Sequence, residues 1–247
     1  MSKKVTIKDR GRINPSWEDD VDRLILYADF MGFTSRVMSQ SHEDMKKQLM
    51  DFKEKWAKKM EPLSFGEHLK FAQFSDSILI VANGTNEQKF NLLTKAAISL
   101  VHTAMSLRLP IKGVIAQGKF SYDEKNELYF GKPLVSAYDL HNQIKYYGIV
   151  VHHSAENTIK TFKNASNPYS DNPIFIEKGK VRHYHLCWNL LRTDLHSGDI
   201  TDLCKNWIEV IAGEVSGEPR LYIDRTMEVL DEDRNAIMHN DDFSDES

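Results

Sequence analysis

Two aspartates occupy positions where a carboxylate is energetically costly unless it is paired, hydrogen-bonded or bound to a metal ion. Asp29 stands near the end of the apolar run LILYADF (24–30), which a glycine-containing turn follows. Asp76 stands in the turn FSDS (74–77), between two apolar segments. If these segments form neighbouring strands, both carboxylates lie at one edge of a sheet. Two such carboxylates, together with phosphate oxygens, are a natural site for Mg²⁺ or Mn²⁺.

Each aspartate also has an ordinary structural interpretation. A single aspartate at the end of a strand is more often a turn former or a helix cap than a metal ligand. The turn after Asp29 adds an indication of its own, because residues 31–34 lead into a predicted helix and offer backbone N–H groups that suit phosphate oxygens. The chain has no recognisable Ser/His/Asp or Cys/His motif, so a protein nucleophile is not indicated.

Apolar periodicity predicts the elements that position these residues. Short apolar runs predict strands, and apolar residues at helical spacing predict helices. The predicted strands cover residues 24–30, 69–74, 77–82, 111–120, 127–130, 149–151 and 181–188. The predicted helices cover 34–60, as one helix or as two with a break at 39–42, and 87–107, 134–145, 199–211 and 221–230. Residues 164–173 are rich in Asn, Ser and Pro and are predicted to form a loop.

The order of these elements predicts an α+β domain. It resembles the split βαβ, ferredoxin-like plan, in which an antiparallel sheet carries helices on one face. We expect residues 1–20 to be a flexible lead and residues 21–155 to be the domain that holds both aspartates. Residues 156–230 are expected to be a C-terminal helical extension packed on the core, and 231–247 an acidic disordered tail.

Composition places the chain among ordinary globular proteins, with 41% hydrophobic and 28% charged residues in a length of 247. The net charge of −4 argues against a nucleic-acid partner. No apolar run approaches the roughly 20 residues of a membrane helix, and no apolar stretch follows the basic N-terminus as in a secretory signal. Two cysteines, Cys187 and Cys204, do not indicate a disulfide framework, and we expect a cytoplasmic location.

A second group of residues invites a metal-site interpretation. Alternation along the predicted strand 181–188 places His183, His185 and Cys187 on one face. Zinc sites usually take their ligands from two separated pairs, and a second pair with suitable spacing is absent from the sequence. A packed strand is therefore the preferred interpretation of this segment.

Four segments, in order, resemble the signature sequences of class III nucleotidyl cyclases. They are LILYADFMGFTSRV (24–37), FSDSILIV (74–81), LPIKGVIAQGKF (109–120) and GKPLVSAYDLHN (131–142). The first contains the apolar strand, the aspartate and the Gly-Phe-Thr turn of that family, and the second contains its other metal-binding aspartate. The resemblance implies the fold of a class III cyclase catalytic domain for residues 21–155.

The resemblance also implies a mechanism. Asp29 and Asp76 would hold two divalent ions, Mn²⁺ or Mg²⁺, with the carbonyl oxygen of Phe30 as a further ligand. One ion would activate the ribose 3′-hydroxyl of a nucleoside triphosphate, and the other would neutralise the departing pyrophosphate. The nucleotide-binding turn would consist of Phe30, Met31, Gly32, Phe33 and Thr34. Active sites would lie at the interface of a head-to-tail homodimer, in which one subunit supplies the aspartates and the other the base-reading and phosphate-clamping groups.

The sequence departs from purine-specific members of this family at four positions. Asp139 stands where they have the transition-state arginine, and Val135 stands where they have an asparagine. Ala72 and Leu128 stand where they have polar residues that read the base. Lysines in the matching region are candidates to replace the arginine, namely Lys112, Lys119, Lys132 and Lys145, and we prefer Lys112 as the catalytic one. Gln73 and Gln117 are candidates to read the base.

The segments FSDSILIV, KGVIAQGKF and FGKPLVSAYDLHN are most similar to the pyrimidine cyclases of bacterial anti-phage (Pycsar-type) signalling. This similarity implies a phosphorus-oxygen lyase that forms cyclic UMP, in preference to cyclic CMP, for a separate effector protein. Two alternatives remain open from the sequence. One is an adenylate cyclase of the same fold, and the other is a catalytically inactive module that binds a nucleotide for regulation.

Overall fold

The protein is described by a computed structural model that covers residues 16–17, 20–61, 66–162, 168–193 and 196–241. Most of the predicted lead, and residues 242–247 of the predicted tail, lie outside the described residues. The helices are α1 (Phe33–Ser39), α2 (His42–Met60), α3 (Glu87–Ser106), α4 (Lys132–Gln143), α5 (His153–Phe162), α6 (Thr201–Ala212) and α7 (Glu218–Asp241). The strands are β1 (Val21–Phe30), β2 (Leu69–Phe74), β3 (Ser77–Ala82), β4 (Ile111–Asp123), β5 (Leu128–Gly131), β6 (Gly148–Val151), β7 (Tyr169–Ser170), β8 (Pro173–Ile176), β9 (Gly179–Arg182), β10 (His185–Leu186), β11 (Leu190–Thr193) and β12 (His196–Asp199).

The main sheet confirms the predicted α+β class. Its strand order is β2-β3-β1-β4-β6-β10-β7, with β5 paired to β4. Strand β1 lies between β3 and β4 and runs antiparallel to both. The sheet is not wholly antiparallel, because β4 and β6 run parallel. A parallel pair needs a long crossover connection, which β5 and α4 provide here.

Helices cover both faces of the sheet, so the prediction that they lie on one face is wrong. On one face Leu24 and Leu26 of β1 share a core with Phe52 of α2 and with apolar residues of α3. On the other face Ile25 shares a second core with Ala137 of α4. Strand β1 is a nearly continuous apolar run because both of its faces are covered. The run ends at the edge where Asp29 lies.

Residues 34–60 form two helices, the one of the two predicted alternatives that has a break at 39–42. Helix α2 begins after Ser41, whose side chain accepts a hydrogen bond from the backbone N–H of Asp44 at 3.1 Å. This cap satisfies one of the free N–H groups at the helix start. Helix α1 therefore stays short, and its N-terminus lies directly after β1.

The C-terminal region contains both predicted helices, α6 and α7, and in addition six short strands that the sequence did not predict as such. Strands β7 and β10 join the main sheet, so the region is continuous with the core and is not purely helical. The single strand predicted over residues 181–188 is broken, because β9 ends at Arg182 and β10 begins at His185. Helix α5 crosses the predicted boundary at residue 155.

Helix α7 continues well into the segment predicted to be disordered. It extends to Asp241, so that prediction is wrong for residues 231–241. The reason is burial, since Leu230 and Asp233 of α7 are almost inaccessible to solvent. No helix in the described part of the chain has the length and apolar character needed to cross a bilayer.

Candidate active site

The two aspartates meet at one edge of the main sheet. Asp29, the ninth residue of β1, lies opposite Ser77 of β3, and the Ser77 hydroxyl donates a hydrogen bond to Asp29 Oδ1 at 3.0 Å. Asp76 lies in the tight turn between β2 and β3, and its carbonyl oxygen accepts a hydrogen bond from the N–H of Phe30 at 3.2 Å. The turn is closed by Ser75, which adopts the left-handed conformation with φ of 56°.

The electrostatics of this pair favour a cation. Burial raises the pKa of Asp29, and the negative charge of Asp76 raises it further, whereas the Ser77 hydrogen bond and Lys112 act in the opposite direction. A divalent ion between the carboxylates would remove the repulsion that raises this pKa. Carboxylate oxygens are the ligands that Mg²⁺ and Mn²⁺ prefer, so the residues present fit these ions.

The predicted phosphate turn has the conformation that its sequence requires. Gly32 precedes α1 with φ of 70°, a left-handed conformation that glycine adopts without strain. Helix α1 has no side-chain cap and no acidic residue in its first turn, so no negative charge opposes an anion there. The N–H of Met31, in contrast, donates to the carbonyl oxygen of Pro110 at 2.7 Å. Met31 therefore cannot offer that N–H to a phosphate.

A cavity of about 400 Å³ opens beside this turn. Met31, Gly32 and Arg36 line it on the side of α1, and Glu214 and Tyr222 line it on the side of the C-terminal region. Burial lowers the pKa of Arg36, and Glu214 partly offsets this effect. The Glu214 carboxylate forms its ion pair with Arg108 instead, at 2.7 Å. Arg36 is thus a cationic residue that lines a cavity next to the predicted phosphate turn.

Lys112, the lysine preferred from the sequence as the catalytic one, lies beside Asp29. It is the residue of β4 directly opposite Asp29 of β1, and it is only 4% exposed. Its Nζ donates to the carbonyl oxygen of Ile144 at 3.2 Å and lies 5.6 Å from the ring centre of Tyr222. Burial and Lys145 lower the pKa of Lys112 to about 8, and Asp29 partly offsets them.

The other candidate lysines divide into two groups. Lys145 is close enough to Lys112 to lower its pKa. Lys119 is the β4 residue opposite Asp22, at the far end of β1, so it does not lie beside Asp29 of the same chain. Lys132 lies at the start of α4, where it acts on the pKa of His152 at the same far end.

The two predicted base-reading glutamines are not brought to the aspartates. Gln117 lies opposite Leu24, five residues along β1 from Asp29, which corresponds to about 17 Å. Its side-chain carbonyl accepts a hydrogen bond from Thr158 of α5, and its backbone N–H donates to Ser154. Within one chain Gln117 is therefore far from Asp29 and bound to α5, and its use as a base reader across a dimer interface stays a prediction.

Gln73 shares the β2–β3 hairpin with Asp76 but faces the other side of the sheet. Its side-chain amide donates to the carbonyl oxygen of Ser75 at 3.1 Å, and it lines a groove between α1 and α2. Side chains alternate between the two faces of a strand, so Gln73 points away from the face that Ala72 shares with the second core. Within one chain Gln73 therefore lies on the sheet face opposite to that of Ala72, and its role in reading the base stays a prediction.

Three residues beside Asp29 were not singled out from the sequence. The Tyr27 hydroxyl lies 3.3 Å from the Ser77 hydroxyl, and the Tyr27 ring contacts the rings of Tyr138 at 6.0 Å and His141 at 5.3 Å. Burial and Lys112 lower the pKa of His141 to about 3, so its imidazole is neutral. The available signals were the spacing of two between Tyr27 and Asp29 on one strand and the helical spacing of Tyr138 and His141.

The fold of the chain is similar to that of several solved structures. No protein-family model matches the sequence, and no curated protein matches it significantly. The structure is similar to the catalytic core of a rhodopsin-guanylyl cyclase with converted specificity, solved in complex with ATPαS. The TM-score is 0.50, with 15% identity over 67% of this chain and 94% of that chain.

Two further solved structures have the same relation to this chain. The guanylate cyclase domain of RhGC from Catenaria anguillulae, solved with GTP, has a TM-score of 0.49 and 15% identity over 68% of this chain and 96% of that one. The adenylyl cyclase CyaB from P. aeruginosa has a TM-score of 0.45 and 14% identity over 67% of this chain and 93% of that one. The chain has the α+β fold of nucleotide cyclase catalytic domains.

Proposed function

We propose that the protein is a nucleotide cyclase that converts a pyrimidine nucleoside triphosphate, UTP in preference to CTP, to its 3′,5′-cyclic monophosphate and pyrophosphate. The observation that carries this proposal is the convergence of Asp29 and Asp76 at one sheet edge in a cyclase fold. Two isolated aspartates at strand ends have many uses. Two that meet beside a glycine turn and a cation-lined cavity suit a metal-bound triphosphate.

The chain's own residues would act mainly by positioning and by electrostatic stabilisation. Asp29 and Asp76, with the carbonyl oxygen of Phe30, would hold the two ions. When bound, Mg²⁺ or Mn²⁺ supplies activation of the 3′-hydroxyl and neutralisation of the leaving pyrophosphate. The backbone of Gly32 and the following first turn of α1, including Phe33 and Thr34, would bind phosphate oxygens.

Two cationic side chains are available to the phosphates. Lys112 lies opposite Asp29, and Arg36 lines the adjoining cavity. The position of the family's arginine holds Asp139, which is exposed on α4 and carries the wrong charge for a triphosphate. We therefore assign the stabilisation of developing phosphate charge to Lys112 and Arg36.

The preference for a pyrimidine is supported by side chains that cannot hydrogen-bond to a base. Ala72 packs against the second core, and Leu128 is a half-exposed apolar residue on β5. A purine would lose the polar contacts that these positions make in purine cyclases. The similarity of three segments to pyrimidine cyclases supports the same preference and favours UTP.

The test is product formation by the purified protein with Mn²⁺ and each of ATP, GTP, CTP and UTP, resolved by mass spectrometry. Cyclic UMP as the main product supports the proposal. Cyclic AMP as the main product would establish the adenylate cyclase alternative and overturn the pyrimidine preference.

A catalytically inactive nucleotide-binding module is the second candidate, and a specific observation favours it. Val135 and Asp139 replace the asparagine and arginine that purine enzymes use, and both are exposed on α4. Calorimetric binding of a nucleoside triphosphate with no cyclic product from any of the four substrates would establish this candidate. The retained aspartate pair argues against it, because the charge of Asp76 raises the pKa of Asp29 and a bound cation would relieve this repulsion.

We also propose a head-to-tail homodimer. In the described part of the chain, eight of the exposed large apolar side chains lie on two groups of elements, which we call the first and the second patch. The first patch, on β5 and α4, comprises Leu128, Phe130, Val135 and Tyr138, and the second, on α1, α2 and the β2–β3 hairpin, comprises Val37, Met38, Met50 and Phe74. Two different patches on one chain can pair reciprocally about a two-fold axis, which buries both.

Substitution of Val135 by Asp is expected to convert the dimer to a monomer and to abolish turnover, because a buried unpaired charge opposes association. The measurement is light scattering coupled to gel filtration, with cyclase activity alongside. Leu203→Asp on α6 is the matched control, since Leu203 is 48% exposed and lies outside both patches. A Val135→Asp variant that remains dimeric would place the interface elsewhere.

The pH dependence of the reaction is expected to report Lys112. Because the pKa of Lys112 is about 8, the charged form that attracts a triphosphate is lost as the pH rises through 8. The value of kcat/KM, which reports the free enzyme, should therefore fall above pH 8. In Lys112→Arg the charge persists, so the fall should move to higher pH. An unchanged profile in Lys112→Arg, with Lys119→Arg as control, would assign the fall to another group.

The biological setting follows from the resemblance. We propose that the product is a second messenger in anti-phage defence, read by a separate cyclic-nucleotide effector in the cytoplasm. Support for a reducing compartment comes from Cys187 and Cys204, which are buried and not joined in a disulfide. Mass spectrometry of cyclic nucleotides in producing cells, before and after phage infection, tests this proposal.

A further inference from the structure

A buried polar cluster lies far in sequence from the aspartate pair. His185 of β10, Cys187 just after that strand and Asp233 of α7 each offer one ligand atom, and these atoms lie within 4.8 Å of one another. The three residues are between 0% and 3% exposed. Nothing in the proposed cyclase mechanism uses any of them. The sequence alone placed His183 in this group. In the structure His183 is partly exposed, and its Nδ1 atom lies 3.3 Å from the carbonyl oxygen of Tyr184.

The groups around the cluster are arranged as metal-binding sites arrange their supporting residues. The Nδ1 atom of His185 lies 3.0 Å from the carbonyl oxygen of His183, which fixes the ring and directs Nε2 toward Asp233. The side-chain amide of Asn172 donates to Asp233 Oδ1 at 3.1 Å. Ligand histidines and carboxylates are commonly oriented by such second contacts.

A fourth polar group points to a ligand that the protein atoms do not supply. The Tyr146 hydroxyl is fully buried and has no hydrogen-bond partner among the described residues. It lies near enough to Asp233 and Cys187 for both charges to act on it, and its ring contacts the His185 ring at 6.4 Å, edge to face. A buried hydroxyl without a partner is uncommon in native proteins, and an ion or ordered water explains it.

We propose that His185, Cys187 and Asp233 bind one structural zinc ion. One imidazole nitrogen, one thiolate and one carboxylate oxygen form a zinc donor set, and a thiolate disfavours Mg²⁺, Mn²⁺ and Ca²⁺. The Tyr146 hydroxyl, or a water held by it, completes a tetrahedron. On binding, the thiol proton of Cys187 and the Nε2 proton of His185 pass to solvent. The thiolate, the carboxylate and the doubly charged ion then sum to zero charge in the buried site.

The competing explanation is a buried ion pair between His185 and Asp233 with no metal. Their side chains lie 3.0 Å apart and are each 1% exposed. Such a pair would leave the buried Tyr146 hydroxyl without a hydrogen-bond partner among the described residues. Both explanations join α7 to the edge of the main sheet, so loss of stability on mutation cannot separate them. Measurements of metal content and metal spectroscopy can separate the two explanations.

The site would act at a distance on the cavity beside Gly32. Helix α7 carries Asp233 in its second half and Tyr222 in its first half, and Tyr222 lies over Lys112. The Thr226 hydroxyl of the same helix accepts a hydrogen bond from the N–H of Tyr147 at 2.9 Å. A zinc ion at Asp233 would therefore fix the helix that covers one wall of the proposed active site.

The experiment uses the full chain, purified without a metal-affinity column and analysed for metals by mass spectrometry. We expect about one zinc per chain in the wild type and in Cys204→Ser, and none in Cys187→Ser. Asp29→Asn should keep the zinc, which separates this site from the aspartate pair. Replacement by Co²⁺ should produce a near-ultraviolet thiolate-to-cobalt band that Cys187→Ser lacks.

A second measurement covers the case in which Cys187→Ser does not fold. A strong zinc chelator should lower the melting temperature of the wild type, and added zinc should restore it. Wild-type protein that binds no zinc after exposure to zinc sulfate, and whose melting temperature a chelator does not change, would overturn the proposal in favour of the ion pair. These results do not depend on turnover, so an inactive cyclase would leave the zinc site standing.

Discussion

Asp29→Asn and Asp76→Asn are each expected to reduce cyclase turnover by about 10³-fold or more while leaving the protein folded. Each carboxylate would hold a divalent ion that contributes several kcal/mol of transition-state stabilisation, and every 1.4 kcal/mol corresponds to about tenfold in rate. The asparagine side chain keeps the size of aspartate but not its charge. The measurement is kcat with UTP and Mn²⁺, beside circular dichroism of each variant.

Without metal, Asp29→Asn is expected to maintain or raise the stability of the protein, although it lowers turnover. This combination separates the two-ion mechanism from a structural role. Burial and Asp76 raise the pKa of Asp29 above its unfolded value, so the charged carboxylate destabilises the folded protein above that raised pKa. This destabilisation disappears as the pH falls through the raised pKa, where the native state takes up a proton. In a chelating buffer at neutral pH, Asp29→Asn should therefore melt at the same temperature as the wild type or higher.

Two controls test the expected effect of Asp29→Asn on stability and turnover. Asp22→Asn is the matched variant, because Asp22 is exposed at the other end of the same strand. It should change neither turnover nor the response to metal. Added Mn²⁺ should raise the melting temperature of the wild type but not of Asp29→Asn. Full activity in either aspartate variant contradicts the two-ion mechanism, and a large loss of stability in Asp29→Asn would show a structural role instead.

The sequence predicted the aspartate hairpin well, because its signals are local. The arms of β2 and β3 are apolar and separated by Ser75-Asp76, and the predicted bounds of both strands are those observed. Asp29 was identified for the same reason, since an acid at the end of a continuous apolar strand stands out. Both carboxylates reach one edge because β1 and β3 are neighbours, which the topology supplies.

The predictions from the sequence are incomplete or wrong where contacts between residues distant in the sequence determine the structure. Strand β10 has two residues and no periodicity of its own, and it exists because His185 pairs with Val150 of β6. The hydrogen bonds that join Gln117 to Ser154 and Thr158, about forty residues later, could not be predicted from its own segment. Asp233 was assigned to a disordered tail because its segment is acidic, whereas in the structure it is buried and contacts His185. No window of the sequence contains these pairings.

Arg36, which lines the cavity beside Gly32, is a further residue whose position could not be predicted from the sequence. Arg36 was not considered from the sequence, because an arginine in a short polar helix is ordinarily a solvated one. The structure places it on the wall of the cavity, one helical turn from Gly32 and facing the α6–α7 connection. Only the packing of the C-terminal region against α1 turns this residue toward an enclosed space.

Arg36→Ala is expected to lower kcat by about 10²- to 10³-fold, with a smaller change in KM. A cation that contacts charge developing in the transition state acts mainly on kcat, and loss of one such contact has this magnitude. Arg36→Lys should recover part of the activity, because it restores the charge but not the forked geometry that suits phosphate. The measurement is steady-state kinetics with UTP.

Arg108→Ala is the matched control for the arginine. Arg108 is an exposed arginine that forms an ion pair with the same Glu214 that attracts Arg36. If Arg36 acts on phosphate, Arg108→Ala should have little effect on kcat. If both variants lose activity equally, the cluster supports the α6–α7 connection and does not contact the substrate. A kcat for Arg36→Ala equal to that of the wild type would leave Lys112 as the cation that replaces the missing arginine.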